Sequence, residues 1–539
     1  MKQTTKPAPW KKRPELAYLF FILISVAVLL LLTFTLLHTA TPTSAATLPM
    51  PGRYDTGTPT NLLEIWVDPV QGDDAFHGNT PAAALRTLNA AWEKIPANVP
   101  LTQGVLIHLL PGTYTRDMIP VYWSSRHGTF EAPIWIQGSA SSRAQVVLQA
   151  GLNIYDTDYL YLENLNIVAD GDVFHCELCN HTLLRNLVLS GGARQAQEVI
   201  KANQSQYFYL EDNDIHGAWS AGVSLVAVQY GHIIGNHVHD AGDWCAVAAG
   251  GSAYFRVEAN TFYECDNGGF LAGQSTASQY MVSPWIQYEA YDIKVINNFI
   301  HDTDGAGLGV NGGYNILLAH NTLYRVGSRS HILEISYGSR FCAGEPGEPG
   351  RELCQQHLDQ GGWGTTEVDN GSNAVHIPNR NVYIYNNIIY NPSGYRSQWT
   401  HFAIHDARSN PASSNIPTAA ADTELHIRGN IIWNGDASMP LGIEDNLATC
   451  ANSNATCNEA QLRAENAINT VRPAFANMDK GDFHPSGNWI GSVTVYDIPD
   501  FAWEFGEVPN GDISNNIPTD YEGVPRSSGR SPGAYGSQY

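Results

Sequence analysis

The segment Ile233-Ile-Gly-Asn236-His-Val238 carries the pattern that decides the fold: an apolar residue, Asn three positions later, and another apolar residue two further on. The pattern recurs with its Asn at Asn213, Asn236, Asn260, Asn298, Asn321, Asn387 and Asn430, after two degenerate copies that start at Leu162 and Leu184. Successive copies start 22, 26, 23, 24, 38, 23, 66 and 43 residues apart. A basal period near 23 with occasional insertions indicates a solenoid of stacked coils.

Each copy reads as short strands. Apolar and polar residues alternate within the copies, and Val, Ile, Tyr and Phe are frequent there. No segment between copies shows a 3.6-residue helical period, so the pattern excludes βαβ units and helical repeats. Leucine-rich repeats need a Leu-rich consensus that is absent, and propeller blades need longer antiparallel hairpins. We therefore predict an all-β chain, a right-handed parallel β-helix solenoid with about nine or more coils.

The repeated Asn has a structural role in such a coil. It is expected at the bend that ends a strand, where Asn tolerates the left-handed conformation, and its amide can bond to the Asn above and below it. Three residues further on, each copy places an aromatic or imidazole side chain, at His216, His239, Tyr263, His301, Tyr324, Tyr390 and Trp433. Side chains stacked along the coil axis are the simpler interpretation of this column.

The N-terminus predicts export. Five basic residues precede an uncharged apolar run from Leu16 to Leu37, whose 22 residues are long enough to span a bilayer. The basic flank should stay cytoplasmic, which places the rest of the chain outside the cell. Thr43-Ser44-Ala45-Ala46 offers a cleavage site, so residues 1–45 are either a cleaved signal peptide or a membrane anchor.

The net charge and the cysteines limit which partners and which compartment the protein can have. The formal charge of −23 becomes about −27 without residues 1–45, which disfavours nucleic acid and favours neutral glycans or acidic ones bridged by calcium. Outside the cell the eight Cys should form disulfides, with Cys342–Cys354, Cys450–Cys457 and Cys245–Cys265 as the expected pairs. Cys176 and Cys179, flanked by His175 and His181, suggest zinc, but a tight disulfide or two core thiols are favoured.

Motifs at both ends resemble those of a known group. Ile65-Trp-Val-Asp68-Pro, Gly72-Asp-Asp74, a short helix from Pro81 to Trp92, and the Pro-Gly-Thr-Tyr turn ending at Tyr114 resemble the opening segment of bacterial extracellular β-helix proteins. Asp520-Tyr-Glu-Gly523-Val-Pro-Arg526 and Gly533-Ala-Tyr535 resemble the closing segment. The resemblance implies an N-terminal cap with first coils at 60–150, the β-helix at 151–435, and C-terminal coils with a capping tail at 436–539.

The same resemblance, to the pectin-lyase-like group, implies work on carbohydrate, since polysaccharide lyases, glycoside hydrolases, epimerases and depolymerases dominate that group. Its sharper signatures are missing here, namely the catalytic sets of polygalacturonases, alginate epimerases and classical pectate lyases. No substrate therefore follows from the sequence.

A column of charge marks the candidate site. One residue beyond the aromatic and imidazole column, consecutive coils present Asp240, Glu264, Asp302 and Arg325, about 4.8 Å apart along the coil axis. His239 and His301 directly precede two of these acids. Carboxylates this close require a bound cation, a raised pKa, or compensation by Arg and His. The competing interpretation is structural, with each Asp accepting backbone bonds in a tight turn.

Further acids and aromatic residues surround this column. Asp243, Asp266 and Asp304 lie close by and are candidate ligands for calcium. A 38-residue spacing after Val257 contains an aromatic insertion, and loops on one side of a solenoid commonly form its binding groove. The candidate sugar-binding residues are Trp219, Trp244, Trp285 and Tyr288. The alternative is that these rings pack their own loop onto the coils.

Two mechanisms can use these residues. A glycoside hydrolase would use Asp240, Glu264 and Asp302 as acid and base or nucleophile. A lyase would hold a uronate through calcium while Lys, Arg or His removes a proton. The candidates are Lys201, in the segment Glu198-Val-Ile-Lys201, and Arg194 upstream of it. We predict an exported, monomeric protein that binds and cleaves an extracellular polysaccharide, with a non-catalytic glycan-binding or adhesion protein as the alternative.

Overall fold

The computed structural model describes a large part of the chain. The described residues are 52–281, 288–342, 347–360, 375–411, 416–444, 450, 457–504, 508, 513–526 and 531–536, with backbone only for 357–360. The predicted N-terminal segment, residues 1–45, lies outside them. None of the helices within these ranges is long and apolar enough to cross a membrane.

The predicted solenoid of parallel strands is confirmed. Each coil contributes up to three strands, which stack on three faces, and all strand pairs between neighbouring coils are parallel. Face 1 is a 12-stranded sheet. Faces 2 and 3 join into one 22-stranded sheet. The twelve rungs of face 1 agree with the predicted nine or more coils.

The strands of each face follow in chain order. Face 1 holds Gly112–Tyr114, Val146–Leu148, Asn166–Val168, Val188–Ser190, Asp214–Ala218, His237–Ala241, Thr261–Cys265, Phe299–Thr303, Thr322–Val326, Ile388–Tyr390, Ile431–Trp433 and Ala467–Ile468. Face 2 holds Trp123–His127, Leu152–Asp158, Phe174–Glu177, Ile200–Asn203, Val223–Val226, Trp244–Ala249, Gly268–Ala272, Ala306–Asn311, Leu333–Ser336 and Phe402–Ile404. Face 3 holds Leu62–Val67, Gly104–Leu109, Ile134–Gly138, Leu160–Glu163, Asn180–Arg185, Gln206–Glu211, Gln229–Ile234, Ser252–Glu258, Ala290–Ile296, Gly313–Ala319, Arg380–Tyr385 and Thr423–Arg428.

The core fills the inside of the coils. Inward positions of adjacent rungs pair in register, as in Ile215 with Val238 and Leu225 with Ala248. These side chains are fully buried or nearly so. Every second side chain of a strand points inward. The side chains between them point outward, where they contact the C-terminal tail, an insertion or solvent.

The predicted Asn ladder is confirmed. The Nδ2 of Asn236 donates to the Oδ1 of Asn260 at 3.0 Å, and Asn260 donates to Asn298 at 3.0 Å. The ladder runs from Asn213 to Asn430 and continues to Asn466, a member that the repeat search did not find. The left-handed residue, however, is the one before each Asn, such as Ala259 at φ 53°. Our prediction for the Asn backbone was wrong, because the buried Asn serves the ladder and its predecessor makes the bend.

Helices are few, and two of them differ from expectation. The N-terminal helix, α1, spans only Leu88–Trp92, because Pro81–Ala83 forms a separate 3₁₀ turn and Leu85 then pairs with Val67 in extended form. A second helix, α2 at Pro349–Gln360, lies in an insertion between coils, where its few apolar residues give no clear period. Helix α3 spans Glu459–Glu465. Further 3₁₀ turns are Arg116–Met118, Arg143–Gln145, Ser278–Tyr280, Met478–Lys480 and Ile490–Ser492.

The insertion that contains α2 adds a small sheet outside the coils. Its strands are Ser275–Ala277, Gly338–Phe341 and Val375–Ile377. The disulfide Cys342–Cys354 ties α2 to this sheet. The other predicted pairs, Cys245–Cys265 and Cys450–Cys457, are present, and Cys176–Cys179 is a disulfide rather than a zinc site.

The C-terminal tail runs along the outside of the coils. Its hairpin, Phe475–Asn477 with Asp482–Pro485, packs on Phe299 and Tyr390 of face 1. Further on, Phe501 and Ile517 pack on outward side chains of face 3. The tail thus covers the late rungs of two faces and leaves the earlier rungs of face 1 accessible.

Candidate functional site

The turn from face 1 to face 2, called turn 1 here, gathers the charged residues that the sequence singled out. In successive coils it comprises residues 191–199, 219–222, 242–243, 266–267, 304–305 and 327–332. Backbone bonds stack these segments, since Asp243 N–H donates to Ser220 O and Asn267 N–H donates to Asp243 O, both at 3.1 Å. Turn 1 is therefore a continuous edge along the coil axis.

The predicted charge column lies at the start of this edge. The residues next to the column members in sequence pair in register between adjacent rungs, as Ala241 does with Cys265 and His301 with Tyr324. The four column members all have left-handed backbone, with φ of 52° at Asp240, 53° at Glu264, 53° at Asp302 and 54° at Arg325. A left-handed residue at the same position of these four rungs bends the chain out of face 1 and leaves the register between rungs intact.

Arg194 connects several coils of turn 1. Its Nε donates to Asp240 Oδ1 at 2.6 Å, and its Nη1 donates to Asp266 Oδ2 at 3.0 Å. Its Nη2 also reaches the carbonyl oxygen of Glu264 at 3.4 Å. One guanidinium therefore holds two of the predicted carboxylates, and both remain partly exposed, with 39% and 37% of their side chains accessible.

Asp302 is held in its ionised form. His301 Nδ1 lies 2.8 Å from its Oδ2, and Arg325 forms an ion pair with its Oδ1. Burial acts to raise the pKa of Asp302, but the bonds from His301 and Arg325 outweigh it and leave the pKa below its usual value. Glu264, between Asp240 and Asp302, is exposed, and within the described part of the chain no side chain pairs with its carboxylate.

Glu198 and Lys201 lie on the face 2 side of turn 1. Lys201 Nζ is 3.3 Å from Glu198 Oε2, and Glu198 is only 7% exposed. Burial raises the pKa of Glu198, Lys201 opposes the rise, and the nearby Asp172 and Asp243 add to it. On the adjacent rung, His175 pairs with Lys201 in register, and burial lowers the pKa of its imidazole. This cluster offers a carboxyl that is inclined to hold a proton.

His239 contacts Asp214, whereas its neighbour Asp240 contacts Arg194. Its Nε2 lies 3.1 Å from Asp214 Oδ1, and its ring stacks on His216 and Tyr263 at centroid distances of 4.9 and 4.5 Å. The aromatic and imidazole column is thus a ladder of stacked rings, as the simpler interpretation held.

The predicted sugar-binding aromatics divide into three cases. Trp219 is 57% exposed at turn 1. Trp244 is 5% exposed and Tyr288 is 4% exposed, so neither lines a groove. Trp244 packs closely over Gly268 and Gly309, and Tyr288 stacks on Tyr314 with centroids 5.0 Å apart. Those two predictions were wrong because the rings pack onto the coils, and Trp285 lies outside the described residues.

The three predicted calcium ligands each have another partner. Asp266 binds Arg194, Asp304 accepts from Arg329 Nε at 2.9 Å, and Asp243 accepts from Asn267 Nδ2 at 2.7 Å. Their oxygens are not among the groups of three ligand atoms that converge within 4.8 Å in the described ranges. The described groups that do converge are Asp214–His216–His239 and Asp422–Cys450–Cys457, and the two cysteines of the second form a disulfide.

Comparison with known proteins fixes the class of the solenoid. The family profile described as right handed beta helix region matches residues 140–283. The chain is a right-handed parallel β-helix. No curated protein sequence matches it.

Several solved structures are similar to this β-helix. A rhamnogalacturonan lyase matches with 12% identity and a TM-score of 0.42, over 68% of this chain and 87% of that one. Pectate lyase Pel9A matches with 14% identity and a TM-score of 0.41, over 90% and 98% of the two chains. A lacto-N-biosidase from Eubacterium ramulus matches with 13% identity and a TM-score of 0.33, over 68% of each chain. Likeness at this level says nothing about the reaction.

Sequence analysis named Arg194 and Glu198 only as neighbours of the candidate lyase base Lys201, because the long segment 191–199 follows no repeat register. It missed Asp214 and gave His216 only a structural place in the column of rings. Asp214 and His216 lie inside a repeat, and their Asp-x-His spacing is a signal that places both side chains on one side of a strand. The coil period then brings His239 beside them, so this group could have been found from the register.

Proposed function

We propose that the protein binds an extracellular polysaccharide along turn 1 and hydrolyses it with carboxylate chemistry. The observation that carries the proposal is the exposed edge on which Arg194 holds Asp240 and Asp266 beside the exposed ring of Trp219. A linear polymer fits a linear edge, because turn 1 continues from coil to coil along the axis.

Trp219 is suited to contact a sugar ring. At the position of Trp219 on the next coil stands Gly242, where an added side chain would come within 2.1 Å of Trp219 O. Gly242 therefore lets the two coils approach closely and adds no side chain of its own at this position. One coil further on, Asp266 offers a carboxylate to the hydroxyl groups of a sugar held there.

Hydrolysis needs one carboxyl that is protonated and one that is ionised. Glu198, whose pKa burial raises, is the proposed acid. Asp240, paired with Arg194 on the other side of turn 1, is the proposed carboxylate, and the unpaired Glu264 is a second candidate for that role. Asp302, with its lowered pKa, is unsuited to donate a proton.

Two specific observations favour other outcomes. Lys201 beside Glu198 and His175 provides the amine that a lyase would use as a base. The pairing of Asp240 and Asp302 with arginines would suit a glycan-binding protein without catalysis, since paired carboxylates position ligands well.

The disulfides support an extracellular substrate. Four disulfides occur among the described residues, and such bonds persist in oxidising compartments. The formal charge of −23 favours a neutral glycan over a polyanion, because like charges repel at long range.

A screen of the purified chain against neutral and acidic polysaccharides tests the proposal. New reducing ends without ultraviolet absorbance from an unsaturated uronate support hydrolysis, whereas that absorbance establishes a lyase. Binding without either signal establishes the non-catalytic alternative, and no binding to any glycan in the screen contradicts the proposal.

A matched pair of variants tests the location. Trp219→Ala should weaken glycan binding, whereas Tyr280→Ala should not, because Tyr280 is also exposed, at 47%, but lies in a 3₁₀ turn between faces 2 and 3, outside turn 1. Equal loss in both variants, or in neither, would contradict a site at turn 1.

A further inference from the structure

Asp214, His216 and His239 form a cluster on the outer side of face 1. Asp214 and His216 lie two residues apart on one strand, so both point outward. His239 follows on the next rung, where it pairs with His216 in register. Asp214 Oδ1 lies 3.0 Å from His216 Nδ1 and 3.1 Å from His239 Nε2.

These distances match the edges of a coordination tetrahedron. Zinc binds imidazole nitrogen and carboxylate oxygen at about 2.0–2.1 Å, which places neighbouring ligand atoms of a tetrahedral ion roughly 3.3 Å apart. The distances from Asp214 Oδ1 to His216 Nδ1 and to His239 Nε2 are both within about 0.3 Å of that value. The third, between the two nitrogens, also lies inside the 4.8 Å within which all three ligand atoms fall.

The ladder of rings holds the imidazoles in place. His216 stacks on His239 with an interplanar angle of 20°, and His239 stacks on Tyr263 with an angle of 9°. Ligands whose orientation is fixed before binding lose less entropy when an ion arrives. The side chains stay accessible to an ion from solvent, with 26% of His216, 19% of His239 and 36% of Asp214 exposed.

We propose that Asp214, His216 and His239 bind a divalent transition-metal ion, with Zn²⁺ the best match. Two imidazoles and one carboxylate are donors typical of zinc, whereas calcium and magnesium prefer all-oxygen sites. Three protein ligands leave a fourth position open for water or another ligand. Within the described residues no free cysteine competes for the ion.

The cluster is separate from the carboxylates proposed for catalysis. Asp240 follows His239 in sequence, but its side chain pairs with Arg194 instead of joining the cluster. Metal binding can therefore be tested without a glycan, and its failure would leave the proposed function untouched.

Titration of the untagged, chelator-stripped chain with Zn²⁺ tests the site by calorimetry. We expect one tight site in the wild type and none of comparable strength for Ca²⁺ or Mg²⁺. His239→Phe keeps a ring in the ladder but removes a donor, so zinc affinity should fall by more than the roughly 10–100-fold that loss of an outer-shell partner costs.

His237→Ala is the matched control. His237 lies on the same strand as His239 and beside Asp214 on the next rung, but it is not a member of the cluster. The His237→Ala variant should bind Zn²⁺ with the same affinity as the wild type. Equal zinc binding by His239→Phe and the wild type would mean an adventitious ion elsewhere and would overturn the proposal, as would absence of binding in the wild type.

Two structural readouts complete the test. Crystals soaked in Zn²⁺ should show anomalous density about 2.0–2.1 Å from His216 Nδ1 and His239 Nε2. At a free concentration of 100 Kd, Zn²⁺ should lower the unfolding equilibrium constant of the wild type about 100-fold, and Asp214→Asn should reduce this shift. Anomalous density only at other residues would contradict the assignment.

Discussion

Glu289 and Arg340 form an ion pair that is buried between the coils and the insertion, with Arg340 Nε 2.9 Å from Glu289 Oε1. Glu289 precedes a face 3 strand, and Arg340 lies in the small sheet outside the coils. Thr276 Oγ1 donates to the second carboxylate oxygen at 2.7 Å, and Arg340 Nη2 donates to Tyr288 O at 2.8 Å. The pair thus anchors the insertion to the solenoid.

Removal of one partner should destabilise the chain strongly. Arg340→Met leaves Glu289 as an unpaired buried carboxylate, which costs about 3–5 kcal/mol. The measurement is chemical denaturation. Arg463→Met, which breaks the exposed pair Arg463–Glu459, should cost no more than about 1 kcal/mol. Glu289→Gln combined with Arg340→Met should be more stable than Arg340→Met alone, and the reverse order would contradict the anchoring role.

The Asn ladder should be sensitive to a single truncation. Asn260→Ala removes one bond each from Asn236 N–H, Asn236 Nδ2 and Ile233 O, although Asn236 Nδ2 keeps its bonds to Leu210 O and Ile234 O. An unsatisfied buried polar group costs about 1–3 kcal/mol, so we expect a loss of about 2–3 kcal/mol. Asn267→Ala removes one exposed bond to Asp243 and should change stability by about 0.5 kcal/mol or less. Similar losses for both variants would mean that the ladder adds no stability of its own.

Acid should destabilise face 3 through Glu211. Burial tends to raise the pKa of this carboxyl, but hydrogen bonds from His232 and Arg185 prevail and lower the pKa to about 2. Because this lies below the usual Glu pKa of about 4.3, the ionised form stabilises the fold by about 3 kcal/mol at neutral pH. That contribution is present above pH ~4.3 and is lost as the pH falls towards ~2.

Unfolding midpoints measured across this pH range check the prediction. Glu211→Gln should be less stable than the wild type at neutral pH and should show a smaller fall on acidification. Glu64→Gln, which alters an exposed partner of His108, should leave the pH profile unchanged. A wild-type profile that is flat between pH ~5 and ~2 would contradict the assignment.

Glu198 should act as the proton donor if turn 1 is a hydrolase site. Its raised pKa predicts a rate that declines on the alkaline side with an apparent pKa above that of an ordinary Glu. Glu198→Gln should lower kcat by about 10²–10⁴-fold and should abolish the decline of the rate at alkaline pH. The exposed Glu131 serves as control, and Glu131→Gln should retain the full profile. An unchanged kcat in Glu198→Gln would exclude the role.

The sequence predicted the repeating parts of the molecule. Asn236 and Asn260 bond across adjacent rungs, and Asp240, Glu264 and Asp302 share one column, because a coil of nearly constant length brings equivalent residues to the same place. The disulfide Cys245–Cys265 was predicted because its two residues belong to neighbouring coils. These features depend only on spacing along the chain.

Only the tertiary structure decided which charges pair and which rings are buried. Arg194 reaches Asp240 and Asp266, 46 and 72 residues away, from a turn whose length matches no repeat. Trp244 is buried because Gly268 and Gly309 leave room for its ring, whereas Trp219 at turn 1 is 57% exposed. Periodicity fixed register along the coil axis, whereas pairing and burial depend on side-chain directions in turns and insertions that have no period.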